Sequence, residues 1–178
     1  MLVAASRIAT GRDGAPRAAI IDSQSVKTIE SGGPTGFDAG ETIKGRKRHI
    51  VTDTLGHLLE AVVHPADIQD HDGAPVVIES VRDSDPSRVT VFADGRYAGE
   101  KLRTALAHIE SLAINVVKRS DCASGSVVLP KRWIVERTFA WLNHCRRLAK
   151  DWEATIASSE AWLLIAAIRR TVRIVARA

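Results

Sequence analysis

The chain has 178 residues, of which 45% are hydrophobic, enough to build one domain around a core of its own. Charged residues of both signs make up 26%, which argues against disorder, and the formal net charge of +4 is compatible with a nucleic-acid partner without demonstrating one. The sequence has no apolar run of about eighteen residues and no metal-ligand spacing around its two cysteines, so we expect no membrane span, zinc site or disulfide framework.

Hydrophobic periodicity predicts an alternation of strands and helices after a short, loose extension at residues 1–16 that lacks the length of a signal peptide. A glycine-rich loop is expected at residues 31–36, and the turn at Leu55-Gly56 predicts a hairpin. In chain order, the predicted elements are strands at 18–22, 49–53 and 58–63, a helix at 72–82, a strand at 88–94, a helix at 99–110, a strand at 113–117, and helices at 132–152 and 158–177.

Three strands, a helix, a strand, a helix, a strand and a helix form the element order of a ribonuclease-H-like domain. We therefore expect an α/β fold at residues 17–178, with a ribonuclease-H-like mixed sheet flanked by helices and a C-terminal helical extension. Basic residues concentrate in that extension. From Lys131 onward the chain has ten Lys and Arg against four Asp and Glu, and this balance suits phosphates.

Two of the predicted strands end on an acid, Asp22 and Asp94. If the two strands are adjacent and central, their carboxyl ends bring both carboxylates to the edge where open α/β sheets bind ligands. Mg²⁺ is typically held by one or two carboxylates plus substrate phosphates, and a metal pair can activate a hydroxyl and stabilise a leaving oxygen. An isolated aspartate at a strand end could equally be a cap or turn residue.

A third acid, Glu136, lies off the apolar stripe of the helix predicted at 132–152 and shares a polar face with Arg132 and Asn143. It could complete a metal site with the two aspartates. It could also form an ordinary ion pair with Arg132, worth about 0.3–0.5 kcal/mol. The six histidines show no metal-ligand spacing and are interpreted as incidental, and Asp67, Asp70 and Asp72 as loop and cap residues.

Several segments, in order along the chain, resemble one family, the DDE-type transposases of bacterial insertion sequences. The segment IIDSQSVK at 20–27 resembles the block around the family's first catalytic Asp, and RWIVERTFAWL at 132–142 resembles the block around its catalytic Glu. KGRKRH at 44–49, ADIQD at 66–70 and VFADG at 91–95 look like the intervening blocks. Because several long blocks occur in the right order, the resemblance is far more specific than any single acid.

The resemblance implies a ribonuclease-H-like fold and a Mg²⁺-dependent reaction, with Mn²⁺ as a substitute, that cuts double-stranded DNA at element ends and joins it to a target. It implies that Asp22, Asp94 and Glu136 are the catalytic, metal-binding triad. A homo-oligomer on DNA in the bacterial cytoplasm, associated with the nucleoid, is expected. DNA contacts are expected from Lys44, Arg46, Lys47, Arg48, Tyr97, Arg132, Arg146 and Arg147, although residues 44–48 could instead form a solvated basic face.

The sequence departs from the family at three places. Arg96 stands where the family more often has Gly, and Asn143 stands where a basic residue often follows the Glu. The chain resembles a second reading frame of a two-frame element, or a fragment of a longer gene. These departures leave open a catalytically impaired DNA-binding fragment, and a structure-specific nuclease or resolvase is a third reading.

Overall fold

The computed structural model describes residues 1–29, 33–84, 90–109, 112–117 and 131–178. Short 3-10 helices also occur at Gly95–Tyr97 and Arg146–Leu148. The helices and strands of the described residues are α1 (Leu2–Ala9), β1 (Ala18–Lys27), β2 (Gly36–Asp38), β3 (Ile43–Asp53), β4 (Leu58–Pro65), α2 (Asp70–Ser84), β5 (Thr90–Asp94), α3 (Glu100–Ala105), β6 (Ala113–Val117), α4 (Arg132–Asn143) and α5 (Ile156–Val175).

The strands form one mixed sheet in the order β2-β3-β1-β5-β6, with β4 also paired to β3. Strands β1, β3 and β4 are antiparallel neighbours, whereas β1, β5 and β6 run parallel. The hairpin predicted around Leu55-Gly56 is confirmed as the β3–β4 connection. At Gly56, where φ is +82°, the backbone lies so close to α4 that an added Cβ would meet Thr138 Oγ1 at 2.8 Å.

Two hydrophobic cores lie on opposite faces of the sheet. Helices α2 and α3 cover the face that Ile21 and Val51 point to, and α4 and α5 cover the face that Ile20 and Ile50 point to. Because successive side chains of a strand alternate between faces, β1 and β3 are buried on both sides, although only the first half of β1 is an apolar run and β3 buries charged residues as well. The expected α/β arrangement of a mixed sheet flanked by helices is therefore present.

The N-terminal residues are not the loose extension that we predicted. They form α1, which packs against α5, and a buried cluster attaches the helix to the β3–β4 hairpin. Arg7 Nη1 lies 2.6 Å from Asp53 Oδ2, and His57 Nδ1 lies 3.1 Å from the same oxygen. Ser6 Oγ contacts His57 Nε2 at 2.8 Å. This serine–histidine–aspartate order resembles a catalytic triad, but Ser6 is fully buried, so the cluster is structural.

The basic cluster at 44–48 belongs to strand β3, and most of it is not the solvated basic face that the sequence allowed. Alternation turns Arg46 and Arg48 toward α5 and Lys47 toward α2. Arg46 donates to Asp151 Oδ1 at 3.1 Å and to backbone carbonyls before α5, and Arg48 donates to the Leu148 carbonyl at 2.7 Å. The strand therefore holds the connection between α4 and α5 in place.

The predicted helix at 132–152 is wrong beyond Asn143, where α4 ends. The chain then turns back toward β1, because the Asp151 N–H donates to the Lys27 carbonyl at 2.8 Å and the two segments form a parallel bridge. Helix α3 ends at Ala105, short of its prediction, while α5 matches the last predicted helix. Residues 31–32, 88–89 and 110 of other predicted elements lie outside the described residues.

No helix in the described part of the chain combines the length and apolar character needed to cross a membrane.

Candidate active site

Asp22 and Asp94 lie at the same level on neighbouring parallel strands. Strands β1 and β5 pair with Ile20 opposite Phe92. Asp22 comes two positions after Ile20, and Asp94 comes two positions after Phe92. Both carboxylates therefore point to the same face of the sheet. That face is the one that α4 covers, since Ile20 and Phe92 pack in the core beneath it. The structure thus brings together the two acids that the sequence placed at strand ends.

Both aspartates are nearly buried, with 7% of Asp22 and 6% of Asp94 exposed. Burial raises the pKa of Asp22 to about 7, and the negative charges of Asp94 and Asp70 raise it as well. The Ser23 N–H, which donates to Asp22 Oδ1 at 2.8 Å, and the Arg132 cation act in the opposite direction. A bound cation would favour the ionised form of such a carboxylate and lower its pKa.

The third acid reaches this pair through an arginine. Arg132 Nη1 lies 3.2 Å from Asp94 Oδ2, and Arg132 Nε lies 2.9 Å from Glu136 Oε1. The Glu136 side chain is 54% exposed, so it is free to reorient. The Lys131 ammonium lies 3.5 Å from the centre of the Phe92 ring and fixes the start of α4 against β5. The ion pair that the sequence left open is formed, and it borders the two aspartates.

Polar residues on the opposite face of β1 support the site. Ser23 Oγ donates to Asp70 Oδ1 at 2.7 Å, and the Lys47 ammonium lies 3.0 Å from the same oxygen and 3.1 Å from Asp38 Oδ2. Ser25 Oγ donates to Asp38 at 2.6 Å. Sequence reasoning treated Asp70 as a loop or cap residue and missed this role. Its place in the ADIQD segment, one of the blocks that resemble the family, is the signal that could have identified it.

Two histidines interpreted as incidental belong to the same layer. His49 Nδ1 and His64 Nε2 are 2.7 Å apart, and both rings are buried. Burial, and then the neighbouring His64, lower the pKa of His49 to about 3, so the His49 ring is neutral. A Cβ on Gly73 of α2 would lie 2.5 Å from the His49 ring, so only glycine fits this approach. The pair packs α2 tightly against the sheet below the site.

Comparison with known proteins decides the family. The sequence matches the family described as "Transposase DDE domain" over residues 13–169. The chain belongs to this family. It is 37% identical over 112 residues to a Burkholderia cepacia protein named as a transposase for insertion sequence element IS402, a match that covers 58% of this chain and 52% of the relative. The chain thus spans about half the length of the curated relative that it matches.

A solved structure supports the fold of this transposase DDE domain. A chain of the simian T-cell lymphotropic virus intasome, solved by cryo-EM in complex with PP2A regulatory subunit B56 gamma, aligns with a TM-score of 0.55 at 15% identity. The alignment covers 85% of this chain and 47% of the viral one. The expected ribonuclease-H-like fold is therefore confirmed. At 15% identity the similarity shows the fold and does not show a shared activity.

The acids of the DDE domain have the chemistry of a metal site, although they do not form a closed cage. Among the described residues, no three His, Cys, Asp or Glu side chains already converge on one point. Asp22 and Asp94 adjoin, but the Arg132 guanidinium lies between Asp94 and Glu136. Two buried carboxylates, one with its pKa raised by burial and like charge, fit a hard divalent cation that takes its other ligands from phosphate or water.

Arg96 does not occupy the acid pair. Its guanidinium lies 2.9 Å from Glu41 Oε1 and 3.7 Å from Asp70 Oδ2, while its backbone N–H donates to Asp94 Oδ1 at 2.9 Å. Position 96 therefore orients Asp94 through its main chain. The predicted phosphate contact by Tyr97 is wrong for this structure, because Tyr97 is 1% exposed and packs in the core beneath α2 and α3.

The predicted DNA contacts at 46–48 are also corrected. Arg46, Lys47 and Arg48 are at most 4% exposed, and their charged groups face internal partners. A sequence run cannot reveal this, because the partners are contributed by distant segments. Of the other predicted contacts, Arg132 lies at the acids, while Lys44, Arg146 and Arg147 are exposed. Arg147 also lies 3.5 Å from Glu153.

Proposed function

We propose that this chain is the catalytic domain of a DNA transposase that hydrolyses a phosphodiester at an element end and transfers the freed strand to target DNA. Asp22, Asp94 and Glu136 are its catalytic acids and hold Mg²⁺ or Mn²⁺. The observation that carries the proposal is the position of Asp22 and Asp94 beside each other on adjacent parallel strands, with Glu136 tied to Asp94 through Arg132. Double-stranded DNA and a second copy of the chain are the proposed partners.

Each residue contributes a distinct physical task. When bound, a divalent cation polarises a phosphate oxygen and lowers the pKa of its water. Asp22 and Asp94 provide two carboxylates whose mutual repulsion favours a cation between them. Glu136 is exposed enough to turn toward the pair. Arg132 neutralises Asp94 and Glu136 in the metal-free chain, and its guanidinium can bind a substrate phosphate once the acids are otherwise neutralised.

The test is a calorimetric Mn²⁺ titration, with and without duplex DNA, because substrate phosphates can complete a carboxylate site. We expect saturable binding to the wild-type chain and none to the Asp22→Ala/Asp94→Ala variant. A matched control, Asp13→Ala/Asp83→Ala, removes two exposed acids away from the site and should bind like wild type. Circular dichroism verifies that each variant is folded. A folded wild type that binds no Mn²⁺ under either condition refutes the metal site.

A second candidate function is a DNA-binding fragment without catalysis, and DNA binding and cleavage assays distinguish it from the first. The observation that favours it is the Arg132 guanidinium, which already balances two of the three acids. That candidate predicts salt-sensitive DNA binding that divalent metal does not change. Cleavage of a cognate element end that is lost in Asp22→Ala would exclude it.

A further inference from the structure

A groove between α4 and α5 lies outside the site described above. Its volume is about 590 Å³, and Trp141, Cys145 and Trp162 line it together with arginines of α5. Among the described residues that line it, none carries a carboxylate. The groove therefore combines positive charge with aromatic rings, and we refer to it as the arginine groove.

Three arginines form one row along this groove. Arg169 and Arg173 are four positions apart, so their side chains project from the same side of α5 about 6 Å apart, and Arg177 lines the groove just beyond the end of α5. All three are exposed, and none has an ion-pair partner within the part of the chain that the structure describes. Their hydrated charges are thus available to an anionic partner without breaking an internal contact.

A stacked column connects the groove to the catalytic acids. The Arg137 guanidinium lies 4.4 Å from the centre of the Trp133 ring and 4.5 Å from that of Trp141. Arg170 stacks on Trp141 at 3.6 Å and donates to the Gly56 carbonyl at 2.9 Å. The column begins one residue after Arg132, which contacts Asp94, and ends at the groove. The stacked rings and guanidinium groups place the positive charges of Arg137 and Arg170 along one side of α4.

The spacing fits a DNA strand. From Glu136 to Trp141, both within α4, the helical rise amounts to about 8 Å, and each DNA strand carries one phosphate per about 3.4 Å of helix axis. A backbone that passes the acids would enter the arginine groove roughly two phosphates away. Because Arg169 and Arg173 are about 6 Å apart along α5, they match phosphates that are about two positions apart on that strand.

We propose that the arginine groove binds the phosphate backbone of double-stranded DNA beside the catalytic acids. This proposal rests on the proposed function for the identity of the substrate. The binding is independent of base sequence, because guanidinium groups in the row meet phosphates and carry no base-edge contacts. Arg170 and Trp141 hold the groove open, and Arg169, Arg173 and Arg177 supply the charge.

The first test measures DNA binding in EDTA, by fluorescence anisotropy with a labelled duplex of arbitrary sequence. The Arg169→Gln/Arg173→Gln variant keeps helix-forming side chains and removes two charges. Each lost phosphate contact lowers the salt dependence, so the fall in affinity between about 50 and 200 mM salt should shrink by about tenfold. The control, Lys101→Gln/Arg103→Gln, removes two charges from α3 on the opposite face and should leave the slope unchanged. Equal slopes for both variants overturn the proposal.

The second test uses Cys145, which lines the groove, in a Cys122→Ser background. Saturating DNA should slow maleimide labelling of Cys145 at least several-fold relative to free protein. Labelling that DNA does not slow overturns the proposal. So does labelling that slows only with protein concentration, which would assign the groove to a second copy. Because EDTA is present, both tests read DNA binding without metal, so their failure is separate from failure of the metal site, which the Mn²⁺ titration measures.

Discussion

Replacing Asp22 by Asn should stabilise the metal-free chain at alkaline pH while it removes a proposed catalytic acid. Burial and like charge raise the pKa of Asp22 from 3.8 to about 7. The folded chain therefore binds a proton that the unfolded chain has lost, and stability falls as pH rises from about 4 to about 7. The full loss above that range is on the order of 4 kcal/mol. An amide at this position carries no such dependence.

The assay is urea unfolding followed by circular dichroism at pH 5 and pH 8, with EDTA present. We expect the difference between Asp22→Asn and wild type to grow in favour of the variant by about 2–4 kcal/mol between these two pH values. Asp83→Asn, which replaces an exposed acid, should follow wild type. Added Mn²⁺ should restore wild-type stability at pH 8 and leave Asp22→Asn unchanged. Parallel pH profiles for the two proteins would refute the reasoning about burial.

Three further substitutions test contacts away from the acids, each by urea unfolding. Ser6→Ala leaves the buried His57 Nε2 without its partner and should cost about 1–3 kcal/mol, whereas no measurable loss would mean that α1 does not depend on this contact. Arg46→Met leaves Asp151 as an unpaired buried charge and should cost about 3–5 kcal/mol, most of which replacing Asp151 by Leu as well should recover. Burial would raise the pKa of Asp38, but hydrogen bonds from Ser25 and the Glu41 N–H and the Lys47 ammonium lower it to about 2. The stability that ionised Asp38 contributes is therefore present above pH 4 and lost as pH falls toward 2. Asp38→Asn should remove about 2 kcal/mol of this dependence of the unfolding free energy on pH. A variant whose stability falls between pH 4 and pH 2 as much as that of wild type would contradict the assignment.

Apart from α1 and β2, the order of the described helices and strands follows from the sequence alone, and so does the face of its strand on which each of the first two acids lies. A period of two along β1 makes Ile20 and Asp22 share a face, and a strand that ends on Asp94 is evident from its β-branched run. These are local patterns, so they need no knowledge of partners. The family could also be identified, because it depends on several ordered segments of sequence.

Which charged residues are buried, and with which partners, is evident only from the tertiary structure. Arg46 lies within a run of exposed-looking cations, yet it pairs with Asp151, which is 105 positions away in the chain. Asp70 resembled a helix cap until Lys47 and Ser23 were brought to it by the sheet. An isolated charge pattern predicts solvation, because burial of a charge is stable only where a partner and further hydrogen bonds meet it. Those partners exist only once the strands and helices have been assembled.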